Sequence, residues 1–501
     1  MAGGMGSDSR KSVRQSAYTL IVTTFRLRCG GGAGASQECG YLRIFPVRQV
    51  YTLLSRRRGA RAPYAPGRLR TVATSALTEP AVVRGKRSVH AAPAKPVGNA
   101  MDAYLLDWAN LLLRWAHVIV AIAWIGSSFY FVFLDNSLTR PEDAGLLAKG
   151  VDGELWAVHG GGFYHPQKYL VAPKQMPAHL HWFYWESYST WLTGFALFTV
   201  LYLFNAGTFL VDKSVYDWSA GAAIGAALGF LVACWFVYDV ICRAFGQKKN
   251  GDLIVGAGVF AFVVLASWLA CQLFAGRAAF LLVGAMLATA MSANVFVWII
   301  PGQRKVVAQL KAGQAVDPIH GWRAKQRSVH NTYFTLPVLV AMLSNHYGWL
   351  YQGRHNWLVL VLLMLAGALI RHSFVARHKA LVQGKRVPWE HAVIGTLVLV
   401  GLAVWLAPPP PSAAAQAAAA RPVGFAEVKA VIDQRCVLCH NAQLQSKNVA
   451  LHTPALIQQH AQALYQQAVV LKLMPMNNAT QISDDERALI KRWFEAGAPV
   501  N

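Results

Sequence analysis

Cysteine and histidine stand together near the carboxyl end of the chain, in the run Cys436-Val-Leu-Cys439-His440. Two thiols at this spacing can each add to a vinyl group of haem, and the adjacent histidine is then placed to ligate the iron. We therefore predict one covalently bound haem c, attached through Cys436 and Cys439, with His440 as an iron ligand. A protein that carries this group transfers electrons, and the attachment is expected to occur outside the cytoplasm.

Two other uses of a CxxC pair fit this run less well. A structural zinc site needs a second Cys/His pair at matching spacing, and only the isolated His452 and His460 follow. A redox-active pair is expected within a thioredoxin-like βαβ pattern, which the Ala-, Gln- and Leu-rich flanks do not offer.

The second iron ligand is expected from a methionine loop, in which Met474 directly precedes Pro475 and Met476 follows. We predict Met474 as the axial ligand and keep Met476 as the reserve. Since only one sulfur can occupy the position, the other methionine fills space at the haem edge, as methionine readily does. A His/Met pair raises the haem potential, which suits an electron acceptor.

Two helices are predicted around these ligands. One spans 425–435 and leads into the haem motif, and the other opens with the capping box Ser483-Asp-Asp-Glu486 and ends near Gly497. A helix running into CxxCH, a methionine loop and a final amphipathic helix are typical of small c-type cytochromes. Residues 422–501 are therefore predicted to form a small all-α cytochrome c domain.

Ionisable residues next to apolar segments mark a second place for chemistry, since an uncompensated charge in a membrane costs at least ~2.5 kcal/mol. The richest run is His179-Leu-His181-Trp-Phe-Tyr-Trp-Glu186. If this run is helical, His179 and Glu186 lie on nearly one face and His181 faces elsewhere. The alternative for each residue is the aromatic and polar belt of a membrane interface.

Other polar residues are expected on the same side of the membrane, and they are His330 with Asn331, Arg371 with His372, and Glu390 with His391. On the opposite side we expect His117, His346 and His355. Two histidines from different helices could hold a b-type haem within the bundle. The alternative is that each forms a hydrogen bond to a neighbouring helix.

The elements that must position these residues are apolar. Of the 501 residues, 55% are hydrophobic, which is too many for an ordinary soluble protein. Eight apolar stretches occur, at roughly 111–134, 188–210, 218–241, 253–275, 278–300, 332–350, 356–370 and 391–407. Most reach the ~20 residues that a helix needs to cross the membrane core. Residues 101–407 are therefore predicted to form an eight-helix, multi-pass membrane bundle, followed by a Pro/Ala-rich linker at 408–421.

Loop charge predicts the orientation. The four loops between odd and even helices hold most of the Lys and Arg residues, whereas the opposite loops hold only Lys213, Arg277 and Arg354. Because basic loops stay in the cytoplasm, this distribution and the haem motif agree on a cytochrome outside a bacterial inner membrane.

Residues 1–100 oppose that orientation, with 17 Lys and Arg against 3 Asp and Glu. Their Arg-, Gly- and Ala-rich composition has no periodicity, which indicates a disordered extension. We expect either a translation start assigned too early, with Met101 as the genuine start, or an organellar transit peptide. No recognisable module predicts nucleic-acid binding.

Several motifs together resemble one known family. The order of the apolar segments from Met101 to Asn501, the run HLHWFYWESYSTWLTGF, the loop Pro301-Gly-Gln-Arg-Lys305 and the terminal CVLCH with KLMPMNNAT and SDDERALIKRWFEAGA are similar to membrane-bound urate oxidases. That family, also called urate hydroxylases, carries a C-terminal cytochrome c. The resemblance implies oxidation of urate to 5-hydroxyisourate, with urate, a respiratory electron acceptor and the lipid bilayer as partners.

The implied reaction needs a base, donors for the urate oxygens, and water. We hypothesise that His181 or His179 with Glu186 supplies the base, and that Arg327 or Arg371 with Asn331 orients the anion. These groups are expected on the cytoplasmic side and the haem on the other. Either a second cofactor lies between them, or the site is nearer the outer histidines.

Two other functions remain open at this point. The membrane part could serve only as anchor and electron conduit for a separate dehydrogenase. Alternatively, the protein could be a redox sensor or assembly factor, although no signalling domain is recognisable.

Overall fold

The computed structural model describes residues 100–169, 172–407 and 421–500, and within these ranges the protein is mostly helical. The predictions for residues 1–99 and for the linker residues 408–420 lie outside the described residues.

Eleven α-helices lie within the described residues from 100 to 407, and helices occur at each of the predicted apolar stretches. They are α1 (Ala100–Ser137), the short α2 (Ala144–Lys149), α3 (Trp185–Phe198), the short α4 (Ala206–Phe209), α5 (Ala220–Phe245), α6 (Gly251–Leu273), α7 (Gly276–Ala293), α8 (Ile300–Lys311), α9 (Pro318–Leu343), α10 (Asn356–Val382) and α11 (Glu390–Trp405). A π-helical turn, Thr199–Leu203, extends α3, and a second, Asn294–Ile299, joins α7 to α8. Single 3₁₀ turns, Ser344–His346 and Gly348–Leu350, lie between α9 and α10.

Five helical stretches in the described part are long and apolar enough to cross a membrane, and they are Tyr104–Ser137, Ala220–Phe245, Gly251–Leu273, Gly276–Lys311 and Asn356–Val382. The other three predicted spans also fall on helices, but α11 has only 16 residues. The α-helical part of α3 has 14 residues, and the first half of α9 carries Arg323, Lys325 and Arg327. The count of eight spans therefore stays a prediction.

The segment between α1 and α3 departs from the predicted all-α fold. It forms two antiparallel pairs of strands, β1 (Val151–Glu154) with β4 (Gln167–Tyr169), and β2 (Ala157–His159) with β3 (Gly162–Tyr164). The inner hairpin turns at Gly160 and Gly161, whose φ angles of 59° and 83° favour glycine. The glycine run between short alternating segments was a recognisable hairpin signal.

The core of the bundle lies around α7, which packs tightly against α9. A Cβ at Gly284 of α7 would stand 2.8 Å from the Cβ of Ala341 on α9. Ser373 of α10 accepts a hydrogen bond from the backbone of Ala392 and donates one to the carbonyl of Pro388. These contacts fix α7 against α9, and α10 against the start of α11.

The C-terminal region (residues 421–500) is a separate helical cluster with its own apolar core. Its helices are α12 (Phe425–Arg435), α13 (Pro454–Gln459), α14 (Ala461–Leu464) and α15 (Asp484–Glu495), with a π turn at Tyr465–Val470 and 3₁₀ turns at Ser446–Asn448 and Met476–Asn478. Both predicted helices are confirmed. The capping box is also confirmed, because Ser483 and Glu486 exchange side-chain and backbone hydrogen bonds of 3.1 and 2.7 Å.

Candidate functional site

The CxxCH run forms a tight turn at the end of α12. The backbone N–H groups of Cys439 and His440 donate to the carbonyl of Cys436 at 3.2 and 3.1 Å. Nδ1 of His440 lies 3.0 Å from the carbonyl oxygen of Val449. Because a carbonyl only accepts, Nδ1 carries the proton and Nε2 is left as a ligand nitrogen. Burial raises the pKa of the Cys436 thiol to about 12, so the unattached thiol is neutral.

The methionine loop is held from the inside by one buried arginine. Arg487 of α15 donates to the carbonyl of Met474 at 2.9 Å and also to the carbonyl of Ala468. Met474 packs against the core of the C-terminal region. With two thiols, an imidazole presenting Nε2 and a fixed methionine loop, the residues of this region fit a covalent haem with His/Met ligation.

The opposite side of the same loop rests on one end of the helical bundle. The thioether of Met476 accepts a hydrogen bond from Arg277 at 3.6 Å, and the Asn477 amide donates to the carbonyl of Thr208 at 2.9 Å. At Gly348, an added Cβ would stand only 2.7 Å from the carbonyl oxygen of Lys472. We call this set of contacts the loop–bundle contact. Its bundle residues lie in α4 (Thr208), at the start of α7 (Arg277) and in the 3₁₀ turn Gly348–Leu350 that follows α9.

A buried ion pair lies between α5 and α9. Arg327 donates to Asp239 at 2.8 Å, and the indole of Trp298 donates to the same carboxylate oxygen at 2.7 Å. The side chains of Arg327 and Asp239 are only 4% and 11% exposed. The second terminal nitrogen of the guanidinium, Nη1, is buried and has no hydrogen-bond partner among the described residues.

Amides and rings extend this ion pair into a network. The Asn294 amide donates to the side-chain oxygen of Asn331 and to the hydroxyl of Tyr238, both at 2.9 Å. The Tyr238 hydroxyl also lies 2.8 Å from Nδ1 of His330. The π turn that follows α7 positions both Asn294 and Trp298, and such turns are frequent at functional sites. We call this set the Arg327 network, and its members are Tyr238, Asp239, Asn294, Trp298, Arg327, His330 and Asn331.

A second group of polar side chains surrounds the middle of α10. The Arg371 guanidinium lies 3.7 Å above the ring of Phe129 on α1. Its neighbour His372 lies 2.8 Å from the hydroxyl of Tyr333, and its ring centre is 4.4 Å from that of His391. Nε and Nη2 of Arg371 and Nδ1 of His391 are buried with no hydrogen-bond partner among the described residues. We call these five residues the Arg371 cluster.

Comparison with known families adds one match. The model of the urate oxidase N-terminal family matches residues 103–407, well over half of the chain. The chain belongs to the urate oxidase N-terminal family. Searches of curated proteins and of solved structures find no match. The family match includes the Arg327 network and the Arg371 cluster, and it ends before the C-terminal region.

In this urate oxidase family member, the predicted site residues do not all come together. Arg327 and Asn331 join one network, whereas Glu186 lies half-buried in the first turn of α3. The side chains of His179 and His181 are exposed, and the ring of His181 contacts that of Phe183 at 4.6 Å. Since α3 begins only at Trp185, the expectation that His179 and Glu186 share a helix face is wrong.

The histidines predicted for haem b are dispersed in the urate oxidase region. Nδ1 of His117 lies 3.1 Å from the Thr193 hydroxyl of α3, which is the helix-to-helix hydrogen bond weighed as the alternative. His346 and His355 are exposed, and the His355 ring lies 6.5 Å from that of Trp405. Haem b therefore stays a prediction.

Four members of the Arg327 network were not predicted as site residues, and they are Tyr238, Asp239, Asn294 and Trp298. One signal could have found Asp239. Asp239 is the one acidic residue in the sequence of α5, and an acid in an apolar helix marks a functional site by default.

Proposed function

We propose that the protein oxidises urate to 5-hydroxyisourate within a bacterial inner membrane and passes the electrons to haem c in its own C-terminal region. The observation that carries this proposal is the combination, in one chain, of a urate oxidase family match over residues 103–407 with a CxxCH region that packs on one end of the bundle. Five helices in the described ranges that are apolar enough to span a membrane support the location.

The reaction balances with water as the oxygen source. Urate and one water give 5-hydroxyisourate, two protons and two electrons. A bound haem c supplies a one-electron acceptor, so the electrons leave singly for a downstream respiratory acceptor. The chain's own residues must bind the anion, take up a proton and admit one water to C5.

The haem ligands in this proposal are Cys436 and Cys439 for covalent attachment, with His440 and Met474 on the iron. The hydrogen bond from Nδ1 of His440 to Val449 supports the histidine ligand. Arg487 supports Met474, because it fixes the backbone of the methionine loop.

Two places in the bundle can hold the urate anion. In the first, Arg327 and Asn331 of the Arg327 network orient it, and His181 or His179 with Glu186 provides the base. Support for the first place is the burial and mutual hydrogen bonding of the network. In the second, Arg371 provides the donors. The exposure of His179 and His181 means that the base must act from the bundle surface.

Electron transfer from either place needs a carrier or a close approach. Arg371 is the sixteenth residue of α10, so it lies roughly 20 Å along the helix axis from the end near the C-terminal region. A second carrier in the bundle, such as the predicted haem b, is therefore part of the proposal.

The test of this function uses full-length protein purified in detergent under anaerobic conditions. Added urate is expected to produce the reduced spectrum of haem c and 5-hydroxyisourate. If the membrane part is instead an anchor and conduit for a separate dehydrogenase, urate leaves the haem oxidised, while a chemical reductant still reduces it.

A further inference from the structure

The most unusual group in the bundle is a buried cation without a counter-ion. Arg371 is 7% exposed, and no Asp or Glu among the described residues forms an ion pair with it. Arg327 differs in this respect, because Asp239 neutralises its charge. A buried charge without a partner is strongly unfavourable. Its presence therefore indicates that a bound ligand supplies the partner.

The unpartnered atoms of Arg371 define the shape of the missing partner. Nε and Nη2 are both buried and have no hydrogen-bond partner in the part of the chain that the structure describes, and together they form one edge of the planar guanidinium. This edge donates two parallel hydrogen bonds to two acceptors in one plane. A planar anion with adjacent acceptor atoms, such as the oxygen and ring nitrogen of a purine anion, has this pattern.

The surroundings hold the arginine ready for such a ligand. Phe129 lies beneath the guanidinium at 3.7 Å, which fixes the plane in which the Nε and Nη2 donors lie. Because Arg371 and His372 are consecutive on α10, their side chains diverge by about 100° and reach different helices. His372 contacts Tyr333 of α9 and His391 of α11, so the position of α10 is fixed from the other side.

We propose that Arg371, and not Arg327, holds the urate anion through the Nε and Nη2 edge of its guanidinium. This inference rests on the proposed function, because it names urate as the planar anion. Arg327 then has a structural role, since its charge is already balanced by Asp239 and by the rings of Tyr238 and Trp298.

The experiment measures equilibrium binding of urate to full-length protein kept reduced by dithionite, so that no turnover occurs. Arg371→Met keeps the length of the side chain and removes the donors. We expect its dissociation constant for urate to rise roughly 10- to 150-fold, the range for losing hydrogen bonds to a charged group. Arg377→Met, which removes a cation from the same helix outside the cluster, is expected to bind urate as the wild type does.

Thermal unfolding separates a binding role from a structural one. Without urate, Arg371→Met is expected to unfold at the same or a higher temperature than the wild type, because it removes an unpaired buried charge. Urate raises the unfolding temperature of the wild type and not that of the variant. Arg371→Lys, which keeps the charge without the paired donors, provides a second variant and is also expected to bind urate weakly.

Three results would overturn the inference. One is an Arg371→Met protein that binds urate with the wild-type constant, and another is one that loses binding together with a marked fall in unfolding temperature. The third is an Arg371→Lys protein with wild-type affinity. If the wild type itself neither binds urate nor is reduced by it, the proposed function fails first.

Discussion

The guanidinium of Arg277, at the start of α7, donates to the thioether sulfur of Met476 at 3.6 Å. Nε of the same guanidinium donates to Asn345 at 3.0 Å, and Asn345 also accepts from the Tyr202 hydroxyl at 2.6 Å. Met476 is therefore part of the loop–bundle contact. Since one sulfur of the loop is engaged by the bundle, we propose that Met474, and not Met476, ligates the haem iron.

This relationship predicts different outcomes for the two methionines. Met474→Leu is expected to abolish the methionine-to-iron charge-transfer band in the red and to lower the reduction potential, because a thioether ligand raises it. Met476→Leu is expected to keep both signals, since it removes only the contact with Arg277. The measurement is the oxidised spectrum with a redox titration of each full-length variant. A lost band in Met476→Leu with a retained band in Met474→Leu would reverse the assignment.

The close approach at Gly348 tests the role of the loop–bundle contact. A Cβ there would stand 2.7 Å from the carbonyl oxygen of Lys472, so Gly348→Ala must displace the C-terminal region. We expect the rate of haem reduction by urate to fall roughly tenfold or more, as for other small misplacements of reacting groups. Stopped-flow absorbance measures that rate, and the rate with dithionite should not change.

Gly353→Ala is the matched control for this change, because an added Cβ at Gly353 meets nothing within 4 Å. Equal rates of urate-driven reduction in both alanine variants would mean that the contact has no part in electron transfer.

The buried pair of Arg327 and Asp239 predicts a large effect on stability. Asp239→Asn leaves the guanidinium buried without a counter-ion, which is expected to cost roughly 3 kcal/mol. Thermal unfolding in detergent measures this loss. Asp217→Asn provides the control, since the pair of Asp217 with Lys213 has side chains 76% and 78% exposed and such pairs contribute little. Similar unfolding temperatures for the two variants would show that the pair is not buried in the protein.

The capping box predicts a dependence on pH. Desolvation acts to raise the pKa of Glu486, but hydrogen bonds from the backbone of Ser483 and from Arg435 outweigh it, so the pKa lies below its ordinary value. A carboxyl whose folded-state pKa is lowered stabilises the fold above the unfolded-state pKa, about 4.3. That contribution is lost as the pH falls through the folded-state pKa.

Glu486→Gln is therefore expected to lower the stability of the C-terminal region by about 1 kcal/mol at neutral pH and to have no effect in acid. Denaturant titrations at several pH values, followed through the methionine-to-iron band, measure the difference. Glu495→Gln, which alters an exposed pair on the same helix, should show a smaller effect. A difference that persists unchanged at low pH would contradict the assigned role of Glu486.

The sequence alone predicts the helices and caps correctly where local patterns determine the structure. The helix before the haem motif, the capping box of α15 and helices at all eight apolar stretches follow from periodicity, caps and hydrophobicity. The short hairpin at Gly160 and Gly161 was missed although its turn signal is local.

Contacts between residues that are far apart in the chain could not be predicted from the sequence in this way. Asp239 and Arg327 are 88 positions apart, and their pairing depends on how α5 packs against α9. The same holds for Arg371, whose importance lies in the absence of a partner among the described residues. The expected helix face of His179 failed because the helix starts six residues later, at Trp185.

The most direct test of the central claim is the spectrum of haem c after urate is added to anaerobic, detergent-purified full-length protein. The expected result is reduction of the haem by urate with formation of 5-hydroxyisourate, and two electrons recovered for each urate consumed when an acceptor is supplied. A haem that stays oxidised with urate but is reduced by dithionite, or a preparation without any covalently bound haem, would contradict the claim.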